Sequence, residues 1–217
     1  MEHNARRYGL PRFLTWPGWR FRRSCHAALS FLTCTFFIFV LAAVSPALAA
    51  SAANTAHFVL TSPTVRSGAT MPPADVGTRN GCPGDNQSPP LIWNDGPAGT
   101  GSYAVSMADL DAKVGVTWLW MMFNLPATVT SLAQNAARDP KLRPPGAVQA
   151  RNGFGGTSYT GPCPRKGKFA HHYLITVWAL KDTTLPFKEG TPADRVAIYL
   201  RGHAIGHASL TPHYARR

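Results

Sequence analysis

Ser102-Tyr103-Ala104-Val105-Ser106-Met107-Ala108-Asp109 is the stretch whose reading decides the fold. Large apolar side chains at Tyr103, Val105 and Met107 alternate with small ones at Ser102, Ala104 and Ser106. That is the period of two of a half-buried β-strand. The next segment, Leu119-Trp120-Met121-Met122-Phe123, is apolar throughout and fits a central strand covered on both faces, within a strand over Trp118–Leu125. Working outward, short apolar runs set off by Pro, Gly, Asn and Asp predict strands over His57–Thr61, Leu91–Trp93 and Tyr173–Lys181. One helix start is readable. Thr191-Pro192-Ala193-Asp194 supplies an N-cap hydroxyl, proline at the first position and an acid in the first turn. Val196, Ile198, Leu200, Ala204 and Ile205 follow at broadly helical spacing, so the helix is expected to end near His207, before a final strand over Ala208–Tyr214. Many strands with one or two peripheral helices predict a mainly β fold, a two-sheet antiparallel β-sandwich rather than a parallel α/β sheet.

The residues before this region read differently. The first 26 carry six arginines and one acid, Glu2, and an uncharged apolar run follows from Ala27 to Val44. Ser45-Pro46-Ala47-Leu48-Ala49-Ala50 then offers the small residues of a signal-peptidase site, with cleavage expected after Ala49. Residues 1–49 are therefore expected to be a signal peptide and residues 50–217 an exported domain, periplasmic or secreted. An uncleaved anchor is the alternative, in which case the leader is the only membrane contact. Arg6-Arg7 followed by Tyr8-Gly9-Leu10 matches a twin-arginine signal poorly.

Removing the leader changes the charge that matters. The 217-residue chain has a net charge of +12, from 22 Lys and Arg against 10 Asp and Glu. Residues 50–217 keep 16 basic and nine acidic residues, or +7, and the basic ones are scattered. Nucleic acid is thus not an expected partner. The one cluster, Arg165-Lys166-Gly167-Lys168, lies in a Gly/Pro-rich turn that is solvated or attracts an anion. A domain of this size buries roughly 70% of its unfolded surface in one core.

Of four cysteines, Cys25 and Cys34 fall in the leader, leaving Cys82 and Cys163. Two cysteines in an oxidising compartment suggest one disulfide, worth roughly 4 kcal/mol by loop entropy. Two free thiols or a metal site are the alternatives, and the paired spacing of zinc ligands is lacking. His203 and His207 have the i, i+4 spacing of a metal pair but no third ligand, so no metal is expected. No Gly-x-Ser-x-Gly elbow, His-Glu-x-x-His, Walker loop or dinucleotide fingerprint occurs, and Asn152-Gly153-Phe154-Gly155-Gly156 is a glycine-rich turn rather than a phosphate loop. No enzyme and no cofactor is expected.

Four segments together resemble the phosphatidylethanolamine-binding protein family, in its bacterial Raf-kinase-inhibitor-like branch. They are Gly84-Asp85-Asn86-Gln87-Ser88-Pro89-Pro90-Leu91-Ile92-Trp93; Asp109-Leu110-Asp111-Ala112-Lys113; Trp120-Met121-Met122-Phe123-Asn124-Leu125-Pro126-Ala127; and Gly161-Pro162-Cys163-Pro164 leading to His171-His172-Tyr173. Gly202-His203-Ala204 matches a further segment near the C-terminus, so that the resemblance runs from about His57 to Arg216. It implies the family's β-sandwich with a small pocket for phosphate-like anions, including phosphoethanolamine head groups. Carried over residue by residue, the pocket is expected to hold Asp109, Asp111, Gly161, Pro162, His171 and Tyr173. The residues agree with this set: Asp109 and Asp111, and likewise His171 and Tyr173, share a face if each pair lies on a strand. Without the resemblance, Asp109 and Asp111 would read as a strand-end turn. Trp118 and Trp120 are expected in the core, with the mouth of the pocket as the alternative.

Departures from the family pattern fall at the pocket. Leu110 and Lys113 replace both prolines of Asp-Pro-Asp-x-Pro, Leu119 stands where the family has a pocket histidine, and Phe169 and His172 replace the Gly and Arg of Gly-x-His-Arg. Losing one charge-assisted donor at Leu119 costs roughly 1.5–3 kcal/mol of anion binding, or roughly ten- to a hundredfold in affinity. Two functions follow from the resemblance. One is a binding module for a small anionic ligand such as phosphate or a phospholipid head group. The other is an interaction or inhibitor module with a vestigial pocket and an unidentified protein partner; a homodimer is a further expected assembly.

Overall fold

The structure, a computed structural model, describes residues 57–167 and 169–217, so the leader lies outside the described residues. Two antiparallel sheets face each other. The smaller joins β1 (Leu60–Thr61), β2 (Leu91–Trp93) and β5 (Ser131–Leu132) in the order β1-β2-β5. The larger runs β6-β4-β3-β7-β8, from β6 (Val148–Gln149), β4 (Thr117–Pro126), β3 (Ser102–Asp109), β7 (His171–Leu180) and β8 (Ala204–Leu210), and β9 (His213–Tyr214) pairs with the start of β7. The mainly β, two-sheet antiparallel architecture expected from the sequence is the one observed.

β3 departs from its expected half-burial, since all eight of its residues are buried. Tyr103, Val105 and Met107 enter the core between the sheets, with Trp93, Trp120 and Ile175. The opposite face is covered too. Ala104 joins Met121 and Phe123 under helix α1 (Ala193–His203), and the Trp178 indole donates to the Ser106 hydroxyl at 2.9 Å. The small residues are small because a helix and an indole lie over them. β4 is covered on both faces as read: Trp120 and Met122 belong to the first core, Met121 and Phe123 to the second.

Helix α1 buries Ala193, Val196, Ala197 and Leu200, an i, i+3, i+4, i+7 stripe, and leaves Ile198 65% exposed. Its N-cap is Pro192 rather than Thr191, whose hydroxyl donates instead to the Lys188 carbonyl at 2.8 Å. The helix stops at His203, not near His207, and the chain turns directly into β8. His203 donates from Nδ1 to the Tyr199 carbonyl, and His207 packs on Trp178, so the two are not a helical pair. The last strand is broken at Thr211-Pro212, where proline has no N–H for the ladder. The first strand is shorter than expected because the Asn94 side chain takes the place of a neighbouring strand: it accepts from the Val59 N–H at 2.6 Å and donates to the His57 carbonyl at 3.0 Å. β5 and β6, two residues each, are too short to leave a periodic signal.

Candidate functional site

β3 ends at Asp109, which lies opposite Tyr173 on β7 and opposite Thr117 on β4. The site forms at this end of the large sheet. His171, the first residue of β7, places Nδ1 2.8 Å from Asp109 Oδ2 and 3.0 Å from Oδ1, so a proton on Nδ1 is donated to the carboxylate and Nε2 is left as the second polar atom of the ring. Asp109 is only 8% exposed, and also accepts the Asp111 N–H at 2.9 Å. Two residues along, the Tyr173 ring stacks beside His171 at 6.4 Å. Tyr173 is completely buried and its hydroxyl has no hydrogen-bond partner. Burial, then the Asp109 and Asp111 carboxylates, push this phenol well above its ordinary range, so it stays protonated as a donor.

Two adjoining cavities open on these groups. The inner, about 40 Å³, is lined by Arg79, Asn80, Asp109, Leu119, Thr160, Gly161 and Tyr173 among others. The outer, about 370 Å³, is lined by Lys113, Val114, Arg165 and His171 together with Asn80, Asp109, Phe154 and Cys163, which border both. Leu119 thus occupies the wall of the inner pocket and brings no polar atom to it.

Asp111 and Pro162 are not brought to these cavities. The strand ends at Asp109, so the period-two rule does not carry to Asp111; its carboxylate instead accepts from the His172 N–H at 2.7 Å and from His172 Nδ1 at 2.9 Å. Those bonds, the backbone one foremost, hold the Asp111 carboxyl below the usual range. Asp109–His171 and Asp111–His172 are therefore two parallel pairs, one facing the cavities and one facing solvent. Pro162 works through its carbonyl, which accepts the Gly77 N–H at 2.9 Å. Trp118 and Trp120 lie off the mouth, and the Trp120 indole donates to Gln149 at 2.9 Å.

Gly161 sits where two segments touch. Its N–H donates to Asn86 Oδ1 at 2.7 Å, and a Cβ here would overlap the Asp75 carbonyl oxygen and stand 2.6 Å from the Gly77 nitrogen. Neither neighbour is a side chain that can swing away. Gly161→Ala is therefore expected to lower stability by about 3 kcal/mol, at the upper end of overpacking costs, in a urea titration. Cys82 and Cys163 form a disulfide beside this contact, with a Cα–Cα distance of 5.9 Å.

Sequence reasoning passed over Arg79, Asn80, Phe154 and Thr160, which come from loops without motif signals. Phe154 is held by Asn152, a buried residue whose Oδ1 accepts from the Phe154 and Gly156 N–H groups and whose Nδ2 donates to Ser158 and Thr160. An Asn two residues before an aromatic in a glycine-rich turn was the available signal. Among the described residues no group of three His, Cys, Asp or Glu is arranged to hold a metal ion.

The comparisons with known proteins agree with this geometry. The model of the phosphatidylethanolamine-binding protein family matches residues 61–215. The UPF0098 protein YbcL of Escherichia coli K12 is 41% identical over 164 residues, covering 75% of this chain and 90% of YbcL. YbhB of the same organism is 38% identical over 148 residues, covering 68% of this chain and 93% of YbhB. The crystal structure of E. coli YbcL, described as a new member of the mammalian PEBP family, superposes with a TM-score of 0.72 at 40% identity, covering 75% of this chain and all of that one. With a family model matched over most of its length and a similar solved fold beneath it, the chain belongs to the phosphatidylethanolamine-binding protein family.

Proposed function

We propose that the protein is an exported, non-enzymatic binding protein whose inner pocket takes a phosphate-like or phosphoethanolamine-like anion. The observation that carries this is Tyr173, which borders the cavity and whose hydroxyl is fully buried and without a partner. A buried donor left unsatisfied costs about 1–3 kcal/mol, which a ligand oxygen relieves. Since Asp109 already bonds to His171, the same wall tolerates an anion better than a free carboxylate would, and an ammonium or hydroxyl of the ligand has an acceptor there.

A binding role rather than a catalytic one is supported by the lining groups. The Cys163 sulfur is held in a disulfide, and the Thr160 hydroxyl accepts from Asn152 rather than facing a base. Export is supported by the charged, apolar and small-residue order of residues 1–49 and by a disulfide suited to an oxidising compartment. Phosphate or phosphoethanolamine titrated to millimolar concentration should shift the backbone amides of Asp109, Gly161, His171 and Tyr173 in a saturable way. Unmoved amides would sink the binding function and leave the interaction module, which a search for a protein partner would then address.

A further inference from the structure

The inner pocket lacks the histidine that the family pattern places at position 119, yet it does not lack a cation. Arg79 lines it, from the short turn Arg79–Gly81 just before Cys82. Its guanidinium carbon sits 4.5 Å from the centroid of the Phe154 ring. A cation over an aromatic face is held by the ring quadrupole, a contact that requires no hydrogen bond from the guanidinium N–H groups. No carboxylate among the described residues lies within ion-pair distance of Arg79. Lys113, Arg165 and His171 line only the outer cavity, so among the described residues Arg79 is the one cationic side chain bordering the inner one.

We infer that Arg79, presented on Phe154, is the anion anchor of this pocket in place of the missing histidine at Leu119, and that it selects the terminal phosphoryl group of a phosphomonoester. The inference rests on the anion-binding function proposed above. The inner pocket, about 40 Å³, has room for roughly three water-sized groups. It shares Asn80, Asp109, Phe154 and Cys163 with the larger cavity outside it. A ligand seated in both places a small anionic end inside and its single substituent outside, among Val114, Thr117 and Lys113. That is the shape of a monoester. A phosphodiester must lead two substituents away from the same phosphorus.

The donors inside suit a phosphoryl group as well. Arg79 brings a planar fork that matches two oxygens, and Tyr173 brings a hydroxyl for a third. The loop that carries Arg79 is fixed by the Cys82 N–H, which donates to the Arg79 carbonyl at 3.0 Å, and by the disulfide at Cys82. The anchor is therefore positioned before a ligand arrives.

The test uses the whole protein, amide-shift titration at low ionic strength, and three probes: inorganic phosphate, phosphoethanolamine and the diester glycerophosphoethanolamine. Arg79→Gln should weaken phosphate and phosphoethanolamine by about tenfold or more, Arg79→Lys by less because charge remains without the fork, and Arg201→Gln on helix α1 not at all. The natural chain should bind phosphoethanolamine at least about tenfold more tightly than the diester. If Arg79→Gln binds phosphate as the natural chain does while the shifts at Gly161 and Tyr173 persist, the anchor is wrong and the pocket stands. If Arg201→Gln weakens binding as much as Arg79→Gln, net charge and not position is at work, and the anchor is again wrong. Equal affinity for monoester and diester overturns the ligand class. No saturable shift in the natural chain overturns the pocket itself. Native amide dispersion in each variant shows that it is folded.

Discussion

Asp75→Asn is expected to be more stable than the natural chain at pH 8 and to lose the pH dependence that Asp75 imposes. Asp75 closes a single 3-10 turn after Pro72-Pro73 and is completely buried, with neither carboxylate oxygen hydrogen-bonded. Burial pushes its pKa from 3.8 to about 7. The folded state therefore holds a proton that the unfolded chain releases in the window between the two values. Stability attributable to Asp75 is highest below pH 3.8, falls as pH rises toward 7, and levels off above it. Over pH 5 to 8 the loss is about 2.5 kcal/mol, from the linkage relation applied to those two values. Urea titrations of both chains at half-unit steps give the comparison directly. Parallel curves for the natural chain and Asp75→Asn would show that the carboxyl is ionised or paired in the folded state.

This group lies behind the site rather than in it. The Asp75 carbonyl accepts the Tyr159 hydroxyl at 2.6 Å and touches Gly161, so the turn that buries the carboxyl is also the wall against which the pocket loop packs. Loosening that wall above pH 7 would be felt at Gly161 first. Burial and the nearby Asp75 carboxylate push the Tyr159 phenol far above its ordinary range, which keeps it a donor throughout.

The parts of this arrangement that were legible in sequence are those set by local period. Ser102–Asp109 and Leu119–Phe123 announced the two central strands, and the β7 spacing put His171 and Tyr173 on one face. Asp111 was misplaced because a period of two says nothing about where a strand stops, and this one stops two residues earlier. The burial of Ser106 and Ala104 was hidden because only the covering elements, Trp178 and α1, decide whether a small residue faces water. Arg79 and Phe154 approach from loops 75 residues apart in sequence, and what brings them together is a disulfide and the bonds of Asn152, neither of which has a periodic signature. The burial of Asp75, after Pro72-Pro73-Ala74, is likewise a tertiary fact with no local period behind it.

Replacing both cysteines, as Cys82→Ser with Cys163→Ser, is expected to cost about 4 kcal/mol, the loop-closure entropy that the cross-link removes from the unfolded chain for residues 81 apart. The same change should act on the site separately from global stability. Cys163 borders both cavities, and Cys82 ends the turn that presents Arg79 and Asn80. Without the bridge, the Gly77–Pro162 and Gly161–Asn86 hydrogen bonds are left to hold the two loops together. Amide exchange at Gly77, Cys82 and Gly161 should then quicken under conditions where the variant remains folded, while exchange in β3 and β7 stays slow. Two measurements therefore divide the effect: the urea midpoint reads the cross-link's hold on the unfolded chain, and the local exchange rates read its hold on the pocket. An unchanged midpoint would mean that the reduced chain is already as restricted as the oxidised one, and unchanged exchange at Gly77 and Gly161 would mean that the packed glycines alone fix the loop.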